Sequence, residues 1–210
     1  MKVSVSYLNV SKKYIENTIK SLDTTSMDYL HVDVMDGKYV SGKANLYSSV
    51  ENISRYTRKR LDIHFMVEKP LKLIDDYALL DVFCMTFHLD IKNNLDEVID
   101  KCHSYGIKVG LAINPSDDID SIFPYLDKID LVLVMSVVPG KPGQQFMKEV
   151  VPKIKSLRDK FKKERRDILI SVDGGINNET KAFLSQADIL VSGSYITNSD
   201  DLNKAIESLR

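Results

Sequence analysis

Short β-branched runs and amphipathic stretches alternate eight times along this chain. The apolar runs fall at residues 3–8, 29–35, 61–66, 82–88, 108–113, 131–137, 168–172 and 187–193. Most are near-continuous rather than strictly alternating, the pattern of parallel strands with helices packed over them. The stretches between them carry helix signals. Ser11 can cap a helix with Tyr14, Ile15, Ile19 and Leu22 on one face. Pro70 suits a first helical turn, with Leu71, Ile74 and Ala78 following at helical spacing. Asn93 or Asn94 can cap a stripe of Leu95, Val98, Ile99 and Cys102, and Gly106 stands just past its end. Further stripes run through Val150, Val151, Ile154, Leu157 and Phe161, and through Leu202, Ala205, Ile206 and Leu209. Pro124 predicts that the element around residues 119–126 is short or broken.

No linker or low-complexity tract divides the chain, so one domain is expected over residues 1–210. Eight β/α repeats in 210 residues predict an α/β fold, a single TIM (β/α)8 barrel. A doubly wound open sheet would need a Gly-x-Gly-x-x-Gly turn after its first strand, and residues 6–20 contain no glycine. Gly37, Gly140, Gly143, Gly174, Gly175 and Gly193 all lie at or just beyond predicted strand ends. That is the end at which such barrels build their active sites.

Composition narrows the function. Lys and Arg number 29 against 30 Asp and Glu, for a formal charge of −1. A nucleic-acid partner held by phosphate neutralisation is therefore not expected. The basic run at 153–166 threads between apolar stripe positions and reads as a solvated helix face. The longest apolar stretch, 131–138, contains Ser136 and is too short to span a bilayer. The first residues lack the apolar centre of a signal peptide. Cys84 and Cys102 have no metal-ligand spacing and read as reduced thiols. The expectation is a cytoplasmic enzyme. The sixth run carries no lysine for Schiff-base chemistry, and neither a nucleophile-elbow nor a P-loop motif occurs.

Four residues carry candidate chemistry. His31 and Asp33 are two apart on one strand and share a face; His64 and Asp173 end two other predicted strands. A lone strand histidine is ordinarily a structural hydrogen-bonding group, and a lone aspartate after a strand a helix cap. Four such side chains converging at one barrel mouth form an N2O2 set instead. That set suits zinc, iron(II), manganese or cobalt better than calcium. The turns at 139–144, 173–175 and 192–194 are glycine-rich and follow the last three strands, where barrels often hold phosphate. Met35, Met66 and Met135 fall near strand tops, either as core filling or as an apolar wall to the metal site.

These residues sit in LHVDVMDGKYV, LDIHFMV, TFHLD, GLAINP, MSVVPGKPGQQF, SVDGGI and VSGS, in that order, between residues 6 and 194. In this the chain resembles the ribulose-phosphate 3-epimerase family. The resemblance implies a TIM barrel that interconverts D-ribulose 5-phosphate and D-xylulose 5-phosphate at C3. One divalent ion (zinc, iron(II), manganese or cobalt) would be bound by His31, Asp33, His64 and Asp173. Asp33 and Asp173 would serve as the acid/base pair, acting through a metal-stabilised enediolate. Ser6, His64, Gly143, Gly174, Gly175, Gly193 and Ser194 would contact the sugar phosphate, and the protein would be a homo-oligomer. Allulose 6-phosphate epimerases look very similar, and a sugar-phosphate binder without catalysis is the alternative from another class. Four stretches depart from the family pattern: Ser41-Gly42 where Pro-Asn is usual, Val138 with Lys141 and Pro142 in the sixth loop, the first block without its acidic residue, and HLD for HxE.

Overall fold

A parallel strand buried on both faces must be covered outside and filled inside, and closure into a ring meets both needs without leaving an edge. The computed structural model describes residues 1–210. Its strands are β1 (Lys2–Ser6), β2 (Tyr29–Asp36), β3 (Lys43–Ala44), β4 (Leu61–Met66), β5 (Val82–His88), β6 (Lys108–Ile113), β7 (Leu131–Met135), β8 (Leu169–Asp173) and β9 (Ile189–Ser192). Eight of them pair in parallel in the order β1-β2-β4-β5-β6-β7-β8-β9, and β9 returns to β1, which closes a TIM barrel. The two-residue β3 is an antiparallel addition to the end of β2. The helices are α1 (Ile15–Asp23), α2 (Tyr47–Ser54), α3 (Ile74–Tyr77), α4 (Leu95–Ser104), α5 (Val151–Glu164), α6 (Ser194–Thr197) and α7 (Leu202–Glu207).

The two faces of the strands differ in chemistry. Outward residues such as Val32, Val34, Ile63, Phe65 and Phe87 pack with Ile19, Val98, Ile154, Leu157 and Phe161 of the helices in one large apolar layer. Inside, the lower barrel is filled by Tyr29, Phe83, Leu131, Leu133 and Ile189. Tyr29 and Phe83 stack there, with ring centroids 3.9 Å apart. Higher up the interior turns polar: Ser6, His31, Asp33, Asp62, His64, Thr86, His88 and Ser171 are all buried. The apolar runs are thus apolar chiefly on the outer face, while the inner face is apolar at the bottom and mixed above, where Met66, Met135 and Val191 stand among the polar residues.

Several local expectations are refined. Asn94 rather than Asn93 caps α4, accepting from the amides of Asp96 and Glu97 at 2.9 and 3.4 Å. Asn93 instead accepts from the Leu71 amide. Ser11 makes no side-chain capping bond; it precedes a 3-10 turn, Lys12–Tyr14, that leads into α1. Pro70 opens a 3-10 turn ahead of α3. Pro124 lies in a 3-10 helix, Ile119–Tyr125, because its ring cannot continue an α-helical ladder. The structure adds α2 and β3, which no apolar run or helix stripe in the sequence marks. The basic stretch in α5 faces outward around buried Ile154, Leu157 and Phe161, and its charges pair with Asp188, Glu164 and Asp127. No helix is long and apolar enough to cross a membrane.

Candidate active site

Register brings the polar residues together at the C-terminal end of the ring. Asp33 lies beside His64 across β2 and β4, and His31 beside Asp62 across the same pair. On the other side, β1 ends with Ser6 opposite His31. Asp173 ends β8 opposite Met135. The backbone beyond Asp173 is tied by Ser136, whose hydroxyl donates to the carbonyls of Asp173 and Gly174 at 2.9 and 2.7 Å.

The four expected metal ligands form one cluster, with a donor atom from each within 4.8 Å of all the others. Oδ1 of Asp33 is 3.5 Å from both Nε2 of His31 and Nδ1 of His64. Oδ2 of Asp173 is 3.8 Å from the same two nitrogens. These separations are too long for hydrogen bonds to imidazole. They are close to the roughly 3.3–3.6 Å that separates tetrahedral ligands held at zinc-like bond lengths. Both nitrogens are buried and have no hydrogen-bond partner. Two adjacent orphaned imidazole nitrogens facing two carboxylates is an arrangement that a divalent cation would satisfy. The residues therefore fit the ion that the donor set implies.

The other imidazole nitrogens are occupied. Nδ1 of His31 is 2.8 Å from Oδ2 of Asp62, which also accepts from the Ser4 hydroxyl at 2.8 Å. Nε2 of His64 is 2.8 Å from Nε2 of His88. The Ser6 hydroxyl donates to Oδ2 of Asp33 at 2.8 Å. Asp62 and His88 received no role from the sequence. The alternation was there to find them: Asp62 is two residues before His64, and His88 two after buried Thr86, so both point inward.

Charge is strongly coupled here. Burial opposes ionisation of Asp33, yet His31 and His64 outweigh it and hold the carboxyl well below its usual range. Burial likewise opposes a charge on His31, but Asp33 and Asp62 push its pKa well above the ordinary histidine value. Asp173 is pushed up to about 6 by burial, with Asp33 and Asp62 adding to the rise and the two histidines opposing it. Burial and the neighbouring His64 drive His88 far down, leaving it neutral.

Above the cluster opens a cavity of about 600 Å³. Asp33 and Asp173 reach it from below. Ser6, Gly143, Gly174, Gly175, Gly193 and Ser194 line it, as do Met66 and Met135. His31 and His64 lie beneath that floor, buried. Met35 is buried as core filling and does not line this cavity. The β1 strand pairs no further than His31, and beyond it β2 is flanked by β3. Met35 packs there toward Gly42 and lines a neighbouring cavity with Tyr7 and Lys43. The sequence also left unassigned Asn9, Lys148 and Glu179, which lie on the wall of the main cavity.

The glycine-rich turns at the rim have the backbone geometry their glycines permit. Gly175 has φ +64°, and a Cβ there would fall 2.4 Å from the Phe146 amide nitrogen. Gly174 has φ +120° and sits against Val137. No side chain could stand at either without displacing the neighbouring loop.

Residues 2–197 match the model of the ribulose-phosphate 3 epimerase family. The chain belongs to that family. It is 35% identical over 213 residues to the ribulose-phosphate 3-epimerase of Bacillus subtilis (strain 168), an alignment covering 100% of this chain and 98% of that protein. Against the ribulose-phosphate 3-epimerase of Buchnera aphidicola subsp. Baizongia pistaciae the identity is 37%, over 99% and 93% of the two chains. Like these relatives it is an isomerase, an epimerase. Its barrel also superposes on KGPDC from Streptococcus mutans, with a TM-score of 0.72 at 13% identity over 99% and 94% of the chains. That likeness is one of fold. Within the epimerase family, the cluster of His31, Asp33, His64 and Asp173 sits where this barrel class places its chemistry.

Proposed function

We propose that this epimerase interconverts D-ribulose 5-phosphate and D-xylulose 5-phosphate, with Asp33 and Asp173 exchanging the proton at C3 from opposite faces of the sugar. The observation that carries this reading is the symmetric placement of the two carboxylates about one pair of imidazole nitrogens, at 3.5 and 3.8 Å, beneath a single cavity. The names of the full-length relatives support the substrate. Inversion beside a ketone needs one group to take a proton from one face and another to return it to the opposite face. Two carboxylates accomplish this with no electron-carrying cofactor.

His31, Asp33, His64 and Asp173 would hold one divalent cation, of the zinc, iron(II), manganese or cobalt kind. Bound there, it would supply Lewis-acid stabilisation of the negative charge that develops on the substrate's oxygens. The protein's own groups do the rest. Asp33, tied to Ser6 and almost fully buried, is held in place; Asp173 keeps part of its side chain open to the cavity, so the two carboxylates can exchange the substrate proton from opposite sides. Gly143, Gly174, Gly175, Gly193 and Ser194 would seat the phosphate through backbone amides, and Met66 and Met135 would keep water from the reacting carbon.

The test is turnover of purified metal-loaded protein with ribulose 5-phosphate and with allulose 6-phosphate, together with exchange of the C3 proton in deuterium oxide. The reading predicts a higher kcat/KM for the pentulose and substrate-dependent exchange at C3. A higher kcat/KM for the hexulose would move the substrate assignment. Absence of exchange would leave a sugar-phosphate binder.

A further inference from the structure

His88 stands outside the four-residue cluster, but its imidazole is in direct contact with it. Its Nε2 lies 2.8 Å from Nε2 of His64, and both rings are buried. At that distance one nitrogen carries the hydrogen and the other offers its lone pair. The choice has a consequence at the far side of the His64 ring. If His64 held its proton on Nδ1, that nitrogen would have no lone pair to offer the cluster. If the proton is on Nε2, Nδ1 is free, and Nδ1 is the buried atom without a partner that faces Asp33 and Asp173.

We infer that His88 is a positioning residue: by accepting the Nε2 hydrogen of His64, it fixes the tautomer in which His64 can ligate a cation. The parallel with His31 is close, since Asp62 accepts from the rear nitrogen of that ring. The two ligands thus receive unlike support, from a carboxylate behind His31 and from an imidazole behind His64. Packing alone accounts poorly for His88. Its own Nδ1 is buried with no hydrogen-bond partner, a cost that an apolar side chain would avoid. Tyr39 covers the ring, with centroids 4.9 Å apart, and its hydroxyl is anchored on Asp90 at 2.6 Å. The imidazole is therefore confined in the orientation that meets His64.

This inference rests on the metal-site reading, and the experiment separates the two. Metal-free parent, His88→Leu and His88→Gln proteins are titrated with cobalt(II), following the visible absorption of the bound ion, and the melting of each metal-free protein is recorded. The inference predicts cobalt affinity weaker by about 10–100-fold in His88→Leu, the range for loss of a group that orients a metal ligand. His88→Gln, whose amide oxygen can accept where Nε2 did, should recover most of that loss. The metal-free His88→Leu protein should melt close to the parent. Parental affinity in His88→Leu, or no recovery in His88→Gln, would overturn the inference while leaving the metal site standing. A parent that binds no cobalt would overturn both. Should His88→Leu fail to fold, His88→Gln is compared with His88→Asn, which is too short to reach His64; equal affinities would then count against the role.

Discussion

Asp33 and Asp173 address the same two imidazole nitrogens from strands separated in the ring by β1 and β9, each carboxylate oxygen equidistant from both rings. The pair is alike in position and unlike in environment. Asp33 accepts from Ser6 and is almost fully buried, whereas the Asp173 side chain retains 18% of its exposure and makes no side-chain hydrogen bond, its nearest polar approaches being 3.8 Å to the two histidines. Asp173→Asn should therefore leave the melting temperature of the metal-free protein near the parent value. Its kcat should fall by at least about 10²–10⁴-fold, because an amide cannot accept the proton. Steady-state kinetics beside a thermal melt checks both halves. A near-parental kcat would remove Asp173 from proton transfer.

Metal affinity should depend on pH in a definite direction. A cation needs Asp173 ionised and His31 without its proton on Nε2. In the metal-free protein His31 has a raised pKa and so holds a proton at neutral pH that the ion must displace. Asp173, raised to about 6, adds a second proton as the pH falls through that value. Affinity should therefore decline on acidification and steepen below about pH 6. Isothermal titration with zinc between pH 5 and 8 reads this, and a flat profile would contradict it.

Two glycines in the same rim should respond differently to alanine. Gly143 has φ +74°, but a Cβ there would meet no atom within 4 Å, so only backbone strain opposes the change. At Gly175 the strain at φ +64° is joined by a Cβ 2.4 Å from backbone nitrogen of Phe146. Gly175→Ala should lower the melting temperature more than Gly143→Ala and should raise KM for a sugar phosphate by displacing the loop around Phe146. Equal effects of the two substitutions would argue against this.

Stability and chemistry should separate in the helical layer. Phe161 is buried on α5 among the residues that coat the outside of the barrel, and it does not line the cavity. Phe161→Ala should cost about 3–5 kcal/mol of stability. The kcat per folded molecule should stay close to the parent's, as measured by denaturant titration alongside active-site-normalised kinetics.

The barrel was legible because its outer face is apolar along every strand, which makes the eight runs stand out even where the inner face is polar. The four-residue cluster was legible for a local reason: His31 and Asp33 share a strand face by simple alternation, His64 stands two residues before the end of β4, and Asp173 ends β8. What stayed hidden depends on register between strands. That Asp62 lies beside His31 follows from a pairing across 31 residues, and no local pattern states it. The contact between His64 and His88 likewise depends on how β4 and β5 align, with an irregularity between Leu61 and Asp62. Met35 shares the parity of His31 and Asp33, yet the early end of β1 turns it to a different neighbour. The helix α2 was missed because Ser48, Ser49 and Asn52 dilute its stripe to buried Val50 and Ile53.

The central claim is that four side chains from three strands share one cation. A crystal structure of the protein grown with zinc, with anomalous data collected at the zinc edge, tests it most directly. The account predicts a single strong anomalous peak about 2.0–2.2 Å from Nε2 of His31, Nδ1 of His64 and an oxygen of each of Asp33 and Asp173. A peak held by other residues, or none at this position with the four side chains placed as here, would contradict it.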